Sequence, residues 1–345
     1  MSFEAYVDLP PAVTREAAID LLTHLAFKKV DISPFWNTRG AFRAFDWSDQ
    51  RDYRSYTGVY AELADQDGHL VVYIRTNISA SYWDIAKQNE CLKELRSRLR
   101  GSFQSDVGKN RYFPLPKSAP EPAESGCLMA FERFDSNIER AIMYLMNRKF
   151  PKNFRTGWDA KLLGGFNPWI LSNNLLLPYL VAAMEDYFKS TYVALLRYST
   201  RKESVLKTAR LTGEHLARIS DGSLSVEEAF VEGLPFQNLR SISETFRALE
   251  PKIDVHGILQ KPFRRRKVSL YDSVMQVVQL RHEFIHRGDI HVEFDDSALE
   301  KAMRDVQSAV DRVYQKITAV HSWPYVSAQR TKIQMHWSDP KDDGA

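Results

Sequence analysis

Residues 277–289 of the chain read VVQLRHEFIHRGD, and this stretch has the apolar spacing of an amphipathic helix. Four apolar side chains share one stripe of that helix: Val274, Val277, Val278 and Phe284. Arg281 falls on the same stripe. A guanidinium that faces a core or an interface is costly unless an anion pairs with it. The sequence therefore predicts that a carboxylate or a bound phosphate is the partner of Arg281.

His286 follows Arg281 at a spacing that separates the two side chains around the helix. Five positions correspond to about 140° of rotation and about 7.5 Å along the axis. The two residues therefore do not share one face. Gly288 is a typical helix-ending residue just beyond His286, and a dimer seam could bring a second copy of the pair alongside the first.

Further helices are predicted on both sides of this stretch. A seam of apolar residues at spacings of four and three runs from about 297 to 320: Leu299, Met303, Val306, Val310, Val313, Ile317 and Val320. Segments 176–195 and 270–286 are also amphipathic. Capping-box patterns predict helix starts at Ser136, Ser225 and Ser297. Together these signals predict an all-helical bundle over residues 127–345.

The first part of the chain has a different pattern. Strand-like runs at 3–7, 56–63, 69–76 and 108–113 alternate with helical segments that start at Thr14 and span 83–99. The order β-α-β-β-α-β predicts a ferredoxin-like unit over residues 1–115. The sequence PLPKSAPEPAESG at 114–126 holds four prolines and predicts a linker at 116–126. The fold class is therefore α+β, with two domains.

Composition sets wide limits on function. A length of 345 residues suits two domains, and 44% hydrophobic with 26% charged residues is ordinary for a globular protein. Lys and Arg exceed Asp and Glu by three, which permits a nucleic-acid partner without requiring one. Cys91 and Cys127 lack the spacing of a disulfide framework or a zinc site. With no signal peptide or membrane span in the sequence, we expect a soluble cytoplasmic protein and no membrane partner.

The motif Arg281-His282-x-x-x-His286 resembles the R-x4–6-H signature of the HEPN superfamily, including RiboL-PSP-HEPN-like proteins. The flanking sequence LRHEFIHRGDI is similar to the end of that family's motif helix. Residues 176–192 are similar to the family's earlier helix, whose acidic residue often faces the site. Glu185 matches that place. The resemblance covers roughly residues 127–325.

This resemblance implies a metal-independent endoribonuclease that needs no cofactor and works as a homodimer through its C-terminal domain. RNA would be cleaved by attack of its own 2′-hydroxyl, with His286 as general base or acid and Arg281 as phosphate clamp. Such chemistry suits a side chain that titrates near neutral pH and a permanently charged fork of donors. Three residues would support the site: His282, Arg287 and Glu185. In a microbe the family implies a role in phage defence or as a toxin.

A basic run, Lys261-Pro-Phe-Arg-Arg-Arg-Lys267, lies just before the motif helix. It predicts contact with an RNA backbone through five side chains, with a solvated loop as the alternative. The predicted contacts are Lys261, Arg264, Arg265, Arg266 and Lys267.

Two other functions remain open from the sequence. His282-Glu283-Phe-Ile-His286 also matches the HExxH pattern of zinc peptidases. Against that reading, Arg287 puts a charge after the second His, and His291 falls one position short of the extended zinc motif. The other alternative is a non-catalytic dimerisation or RNA-binding module of the same family. No motif indicates the role of residues 1–115, where a regulatory partner or ligand is one option.

Overall fold

A computed structural model describes residues 2–32, 38–55, 57–77, 80–149, 164–236 and 238–326. The chain divides into two compact units, Met1–Gly126 and Cys127–Ala345. The first unit is an antiparallel sheet with two helices, and the described part of the second unit is helical. The α+β class is therefore as predicted.

Seven strands form one sheet in the first unit, in the order β2-β3-β4-β5-β1-β6-β7, with every neighbouring pair antiparallel. The strands are β1 (Glu4–Asp8), β2 (Lys28–Val30), β3 (Ala41–Trp47), β4 (Val59–Gln66), β5 (His69–Thr76), β6 (Ser102–Ser105) and β7 (Gly108–Lys109). The helices are α1 (Arg15–His24) and α2 (Tyr82–Leu99). The four strands β4-β5-β1-β6, with α1 and α2 between them in sequence, follow the order β-α-β-β-α-β.

Alternation along the strands explains which side of the sheet holds the core. In β1, Ala5 and Val7 are buried, whereas Tyr6 and Asp8 are exposed. The buried side chains join α1 and α2 in one apolar cluster that includes Leu22 of α1. Burial of that cluster against the two helices is what makes this sheet stable as a layered unit.

The last strand of the first unit was predicted at the wrong position, 108–113. The last strand of the predicted order is β6, which pairs with β1 on the side opposite β5 and places Val7 opposite Phe103. Only Gly108 and Lys109 of the predicted run are in a strand. Gly108 has a positive φ of 121°, which turns the chain between β6 and β7. Strands β2 and β3 were not predicted.

The predicted linker is also shorter than expected. Helix α3 begins at Pro122, so residues 122–126 belong to the helix and not to a linker. Proline suits the first position of a helix because its φ is already helical and its missing N–H would have no partner there. Ser136, a predicted helix start, lies inside α3.

The second unit is built from helices along its described length. They are α3 (Pro122–Asn147), which starts in the first unit, α4 (Pro168–Tyr198), α5 (Lys202–Leu206), α6 (Gly213–Ser220), α7 (Val226–Glu232), α8 (Leu239–Leu249), α9 (Val255–Gln260), α10 (Leu270–Arg287) and α11 (Asp296–His321). A short 3-10 turn at Gly164–Phe166 precedes α4. Helices α4, α10 and α11 pack on one another. Aromatic side chains fill much of the core, with Phe131 of α3 stacked on Tyr314 of α11.

Helix starts were predicted with mixed success. Ser225 forms a capping box with Glu228, as predicted. Helix α11 is capped by Asp295, whose carboxylate accepts a hydrogen bond from Ala298 N, and so Ser297 is not its start. Within the described residues, no helix has both the length and the apolar character that a membrane span requires.

Candidate functional site

Helix α10 carries the motif on its last two turns. Its first turn is fixed by Ser269, whose hydroxyl accepts a hydrogen bond from Asp272 N at 3.1 Å. Val274 and Val277 are buried and hold one face of the helix against the bundle. The helix ends at Gly288, which adopts a left-handed φ of 72°. The motif residues therefore lie at the carbonyl end of the helix, where positive side chains are favoured.

Arg281 and Glu185 approach each other where α10 packs against α4. Both side chains are half-buried, and the positive charge of Arg281 acts on the carboxyl of Glu185. Burial raises the pKa of Glu185, and the nearby charges of Lys189 and Arg281 offset part of that rise. Among the described residues, Arg281 Nε and Glu185 Oε1 are buried atoms without a hydrogen-bond partner. A buried polar atom without a partner calls for an explanation, such as an ordered water or a bound ion.

His286 lies next to His282 rather than next to Arg281. The two imidazole rings are 4.5 Å apart between centroids and are inclined at 45°. Both side chains are exposed, as are Arg287 and Ile285. One helical turn separates the two histidines, and for this reason they share a face that Arg281 does not. In a single chain, therefore, the structure brings together Arg281 with Glu185, and His286 with His282.

Glu283 has partners of its own. Its carboxylate accepts a hydrogen bond from Gln279 Nε2 at 2.6 Å, and its other oxygen lies 3.6 Å from His291 Nε2. Among the residues that the structure describes, no group of three His, Cys, Asp or Glu side chains is arranged to hold a metal ion. The zinc-peptidase alternative requires a third ligand beside His282 and His286, and this part of the chain does not supply it.

Two buried asparagines hold the connection that follows the motif, and the sequence analysis did not identify them. Asn174 of α4 accepts a hydrogen bond from His291 N at 3.0 Å and donates one to His291 O at 3.2 Å. Asn173 donates to Phe294 O at 3.1 Å and to Asp296 Oδ1 at 3.0 Å. Both amides are fully buried. Adjacent asparagines within an apolar helix were the available signal, because amides are rarely buried without a purpose.

Arg148 completes this polar cluster from the end of α3. Its guanidinium donates to Asn173 Oδ1 at 2.7 Å and forms an ion pair with Asp296, and its side chain is only 2% exposed. Trp169 lies under the guanidinium, with the ring centroid 4.5 Å from Arg148 Cζ. A pocket of about 410 Å³ opens beside Trp169, Asn173 and Asp296, and none of the motif residues lines it. The cluster therefore holds the α10–α11 connection in place.

The predicted RNA-binding run lies at the other end of α10. Arg266 forms a two-pronged ion pair with Asp305 of α11, at 2.6 and 2.7 Å, so its guanidinium is occupied. The RNA contact predicted for Arg266 stays a prediction, and the structure adds that its charge is paired with Asp305. The remaining four side chains of the run are exposed: Lys261, Arg264, Arg265 and Lys267.

Comparison of the chain with protein-family models, with curated proteins and with solved structures finds no match. The residues that bear on function are consequently those of the motif and its neighbour on α4: Arg281, His282, His286 and Glu185.

Proposed function

We propose that this protein is a metal-independent endoribonuclease with a HEPN-like site centred on Arg281 and His286. The observation that carries the proposal is the proximity of two half-buried, opposite charges, Arg281 and Glu185, which act on each other without a direct ion pair and each have a buried atom without a hydrogen-bond partner. The exposed His282–His286 pair on the same helix supplies proton carriers nearby. Such a combination of a fixed cation and adjacent imidazoles matches the needs of phosphodiester cleavage.

In the proposed mechanism the nucleophile belongs to the RNA. His286, in its neutral form, takes the proton from a 2′-hydroxyl as that oxygen attacks the adjacent phosphorus. The bond from phosphorus to the 5′ oxygen breaks, and His282 in its protonated form donates a proton to that leaving oxygen. Arg281 stabilises the charge on the phosphorane. The products are a 2′,3′-cyclic phosphate and a 5′-hydroxyl, and no metal or cofactor takes part.

Glu185 and Arg287 have supporting roles in this proposal. The Glu185 carboxylate orients the Arg281 guanidinium, and Arg287 adds positive charge at the exposed end of α10. We also propose that two copies of the chain associate through their C-terminal domains and place both motifs in one cleft. Ile285, 47% exposed beside the histidine pair, supplies apolar area for such a contact.

The same proposal extends to fold family and cellular role. The bundle of α4, α10 and α11 supports a HEPN-like assignment for the second unit, and the strand order β4-β5-β1-β6 supports a ferredoxin-like assignment for the first. By analogy with the family, the protein would act in the cytoplasm in defence or as a toxin, with a regulatory partner or ligand at the first unit.

The test is cleavage of mixed cellular RNA by the purified full-length protein, with and without EDTA. We expect cleavage that resists EDTA, leaves 2′,3′-cyclic ends, and falls at least about a hundredfold in Arg281→Ala and in His286→Ala. His69→Ala, which removes an exposed histidine from the β4–β5 hairpin, is the matched control and should keep full activity. Undiminished cleavage by His286→Ala would rule out the mechanism.

A non-catalytic HEPN-like module is the second candidate. It is favoured by the separation of Arg281 from His286 in one chain, because the charge of Arg281 acts on Glu185 rather than on the histidines. In that case no RNA is cleaved, and Arg281→Ala lowers the free energy of unfolding, because it removes a favourable charge from beside the partly buried Glu185 carboxyl.

A further inference from the structure

We propose that a basic surface at the α9–α10 connection holds the backbone of single-stranded RNA about one helix length away from the candidate cleavage residues. The basic surface consists of Lys261, Arg264, Arg265, Lys267 and, from α11, Arg312. The inference rests on the proposed function for the nature of its ligand. The basic surface would be a second RNA contact, and only RNA long enough to reach both contacts would benefit from it.

The connection that carries the basic surface is attached to α11 at two points. Arg266 forms its two-pronged ion pair with Asp305, whose side chain is nearly buried. Arg312 Nη1 donates a hydrogen bond to Lys261 O at 3.2 Å. The backbone between these two points is therefore held in place before any ligand arrives, and a preformed site loses less entropy on binding than a mobile one.

An aromatic ring organises two of the cations. The guanidinium carbons of Arg264 and Arg312 lie 5.0 and 5.3 Å from the centroid of the half-buried Phe263 ring. These are cation–π distances. Arg312 was not expected at this surface from the sequence, because it lies 51 positions beyond the residue it contacts. Two planar donor groups of the kind that bind phosphate oxygens are therefore held against one ring.

The charge of the basic surface is not cancelled by neighbouring acids. In the described chain, no ion pair is formed by Lys261, Arg264, Arg265 or Lys267. Among the nearby carboxylates, Asp305 is bound to Arg266. Asp272 and Asp311 accept hydrogen bonds from the Ser269 and Tyr325 hydroxyls at 2.6 and 2.7 Å and keep their negative charge, but neither forms an ion pair with a cation of the basic surface.

The position of the basic surface decides what it can do for catalysis. It precedes the first residue of α10, whereas His286 is next to the last, and 16 residues of helix correspond to about 24 Å. A nucleic-acid strand rises about 3.4 Å per nucleotide in helical form, so about seven nucleotides separate the two contacts. One RNA strand of that length or longer can occupy both, whereas a tetranucleotide cannot.

RNA fits this surface better than an anionic membrane does. Peripheral membrane binding requires an apolar face that enters the bilayer beside the basic residues. Here the aromatic ring is half-buried and lies against guanidinium groups, and all of the cations except Arg312 are on a short connection rather than on a helix. Exposed cations around an aromatic ring are typical of sites for single-stranded nucleic acid.

The experiment uses the full-length protein and a 20-nucleotide RNA in which every 2′-hydroxyl is methylated, so that binding is measured without cleavage. Affinity is measured between 50 and 300 mM KCl for the wild type and for Arg264→Ala/Arg265→Ala/Lys267→Ala. The matched control is Arg201→Ala/Lys207→Ala/Arg210→Ala, which removes three exposed positive charges near α5. In parallel, kcat and KM are measured on cleavable RNAs of 4 and 20 nucleotides.

We expect the basic-surface variant to bind the RNA at least about tenfold more weakly. The slope of the log binding constant against log salt concentration should be shallower by about two, because each of the three lost phosphate contacts contributes about 0.7 for single strands. The control variant should keep the wild-type slope. For cleavage, KM for the 20-nucleotide RNA should rise without change in kcat, and the tetranucleotide should be cleaved as by the wild type. Arg312→Ala should show the same pattern more weakly.

Three results would overturn the inference: an unchanged salt slope in the basic-surface variant, an equal loss in the control, or binding to phosphatidylserine vesicles through these residues with none to RNA. If the methylated RNA binds as expected but no cleavable RNA is cut, the basic surface stands and the proposed nuclease function fails.

Discussion

Glu185 shows how burial and charge compete at a single residue of the candidate site. Burial is the largest influence on its pKa and raises it, while Lys189 and Arg281 act in the opposite direction without cancelling the effect. A carboxyl whose pKa is higher in the folded state than in the unfolded state favours folding at pH values below the unfolded pKa. That contribution is lost as the pH rises through the folded pKa. Once ionised, Glu185 therefore opposes folding.

We predict that Glu185→Gln raises the free energy of unfolding at pH 7, and that the gain shrinks as the pH falls toward about 4, near the pKa of an unfolded glutamate. Urea denaturation at several pH values measures this. Asp186→Asn is the control, because Asp186 is partly exposed and pairs with Arg133 at 3.4 Å, so its loss should change stability little. A loss of stability in Glu185→Gln at pH 7 would mean that the pairing with Arg281 outweighs burial.

At the scale of elements, long regular segments were predicted well from the sequence. Helix α10 was expected at 270–286 and spans Leu270–Arg287, and strand β5 has its predicted bounds, His69–Thr76. In both, the apolar period within one segment decides the structure, and no distant residue is needed. Two of the missed strands lack that signal, since all three residues of β2 are exposed and Phe103 is the one large apolar residue in β6. Strand β3 does hold large apolar residues, but a register shift between Ala41 and Arg43 interrupts its period of two.

The candidate site was predictable in part for the same reason. Arg281 and His286 stand out because they lie together on one helix, and the place of Glu185 followed from the resemblance of its helix to the HEPN family. The roles of Asn173 and Asn174 could not be predicted. Their hydrogen bonds join positions more than a hundred residues apart, and a single sequence contains no record of such pairs.

The end of α10 gives a prediction of its own. Gly288 has a φ of 72°, and a Cβ built on it meets no atom within 4 Å, so the cost of Gly288→Ala is conformational alone. We expect a loss of about 1 kcal/mol in the free energy of unfolding. Gly213→Ala is the matched control, since Gly213 also has open space around its Cβ but no positive φ, and it begins helix α6. Equal effects of the two substitutions would contradict this explanation, and thermal denaturation measures both.

At the scale of the whole molecule, the start of α3 changes where the chain should be cut. The compact second unit begins at Cys127, but the helix that leads into it begins at Pro122. We predict that residues 118–345 fold cooperatively as a helical fragment and form a homodimer at about 10 µM. Light scattering gives the mass and circular dichroism the unfolding curve. A fragment that starts at residue 127 should melt about 2–4 °C lower, which corresponds to about 1 kcal/mol in a domain of this size.

If the fragment from residue 118 is a monomer while the full-length protein is a dimer, the dimer contact must involve the first unit. A monomeric mass for both would contradict the shared cleft in the proposed function.

The two asparagines of α4 also bear on how this protein can change during evolution. Asn174 contacts residue 291 through backbone atoms, accepting from its N–H and donating to its carbonyl, at a separation of 117 positions along the chain. Asn173 likewise reaches the carbonyl of residue 294. Any residue except proline can present the same groups at position 291. The path of the connection after the motif therefore depends on two side chains of α4, and the two hydrogen bonds to position 291 survive any substitution there except proline.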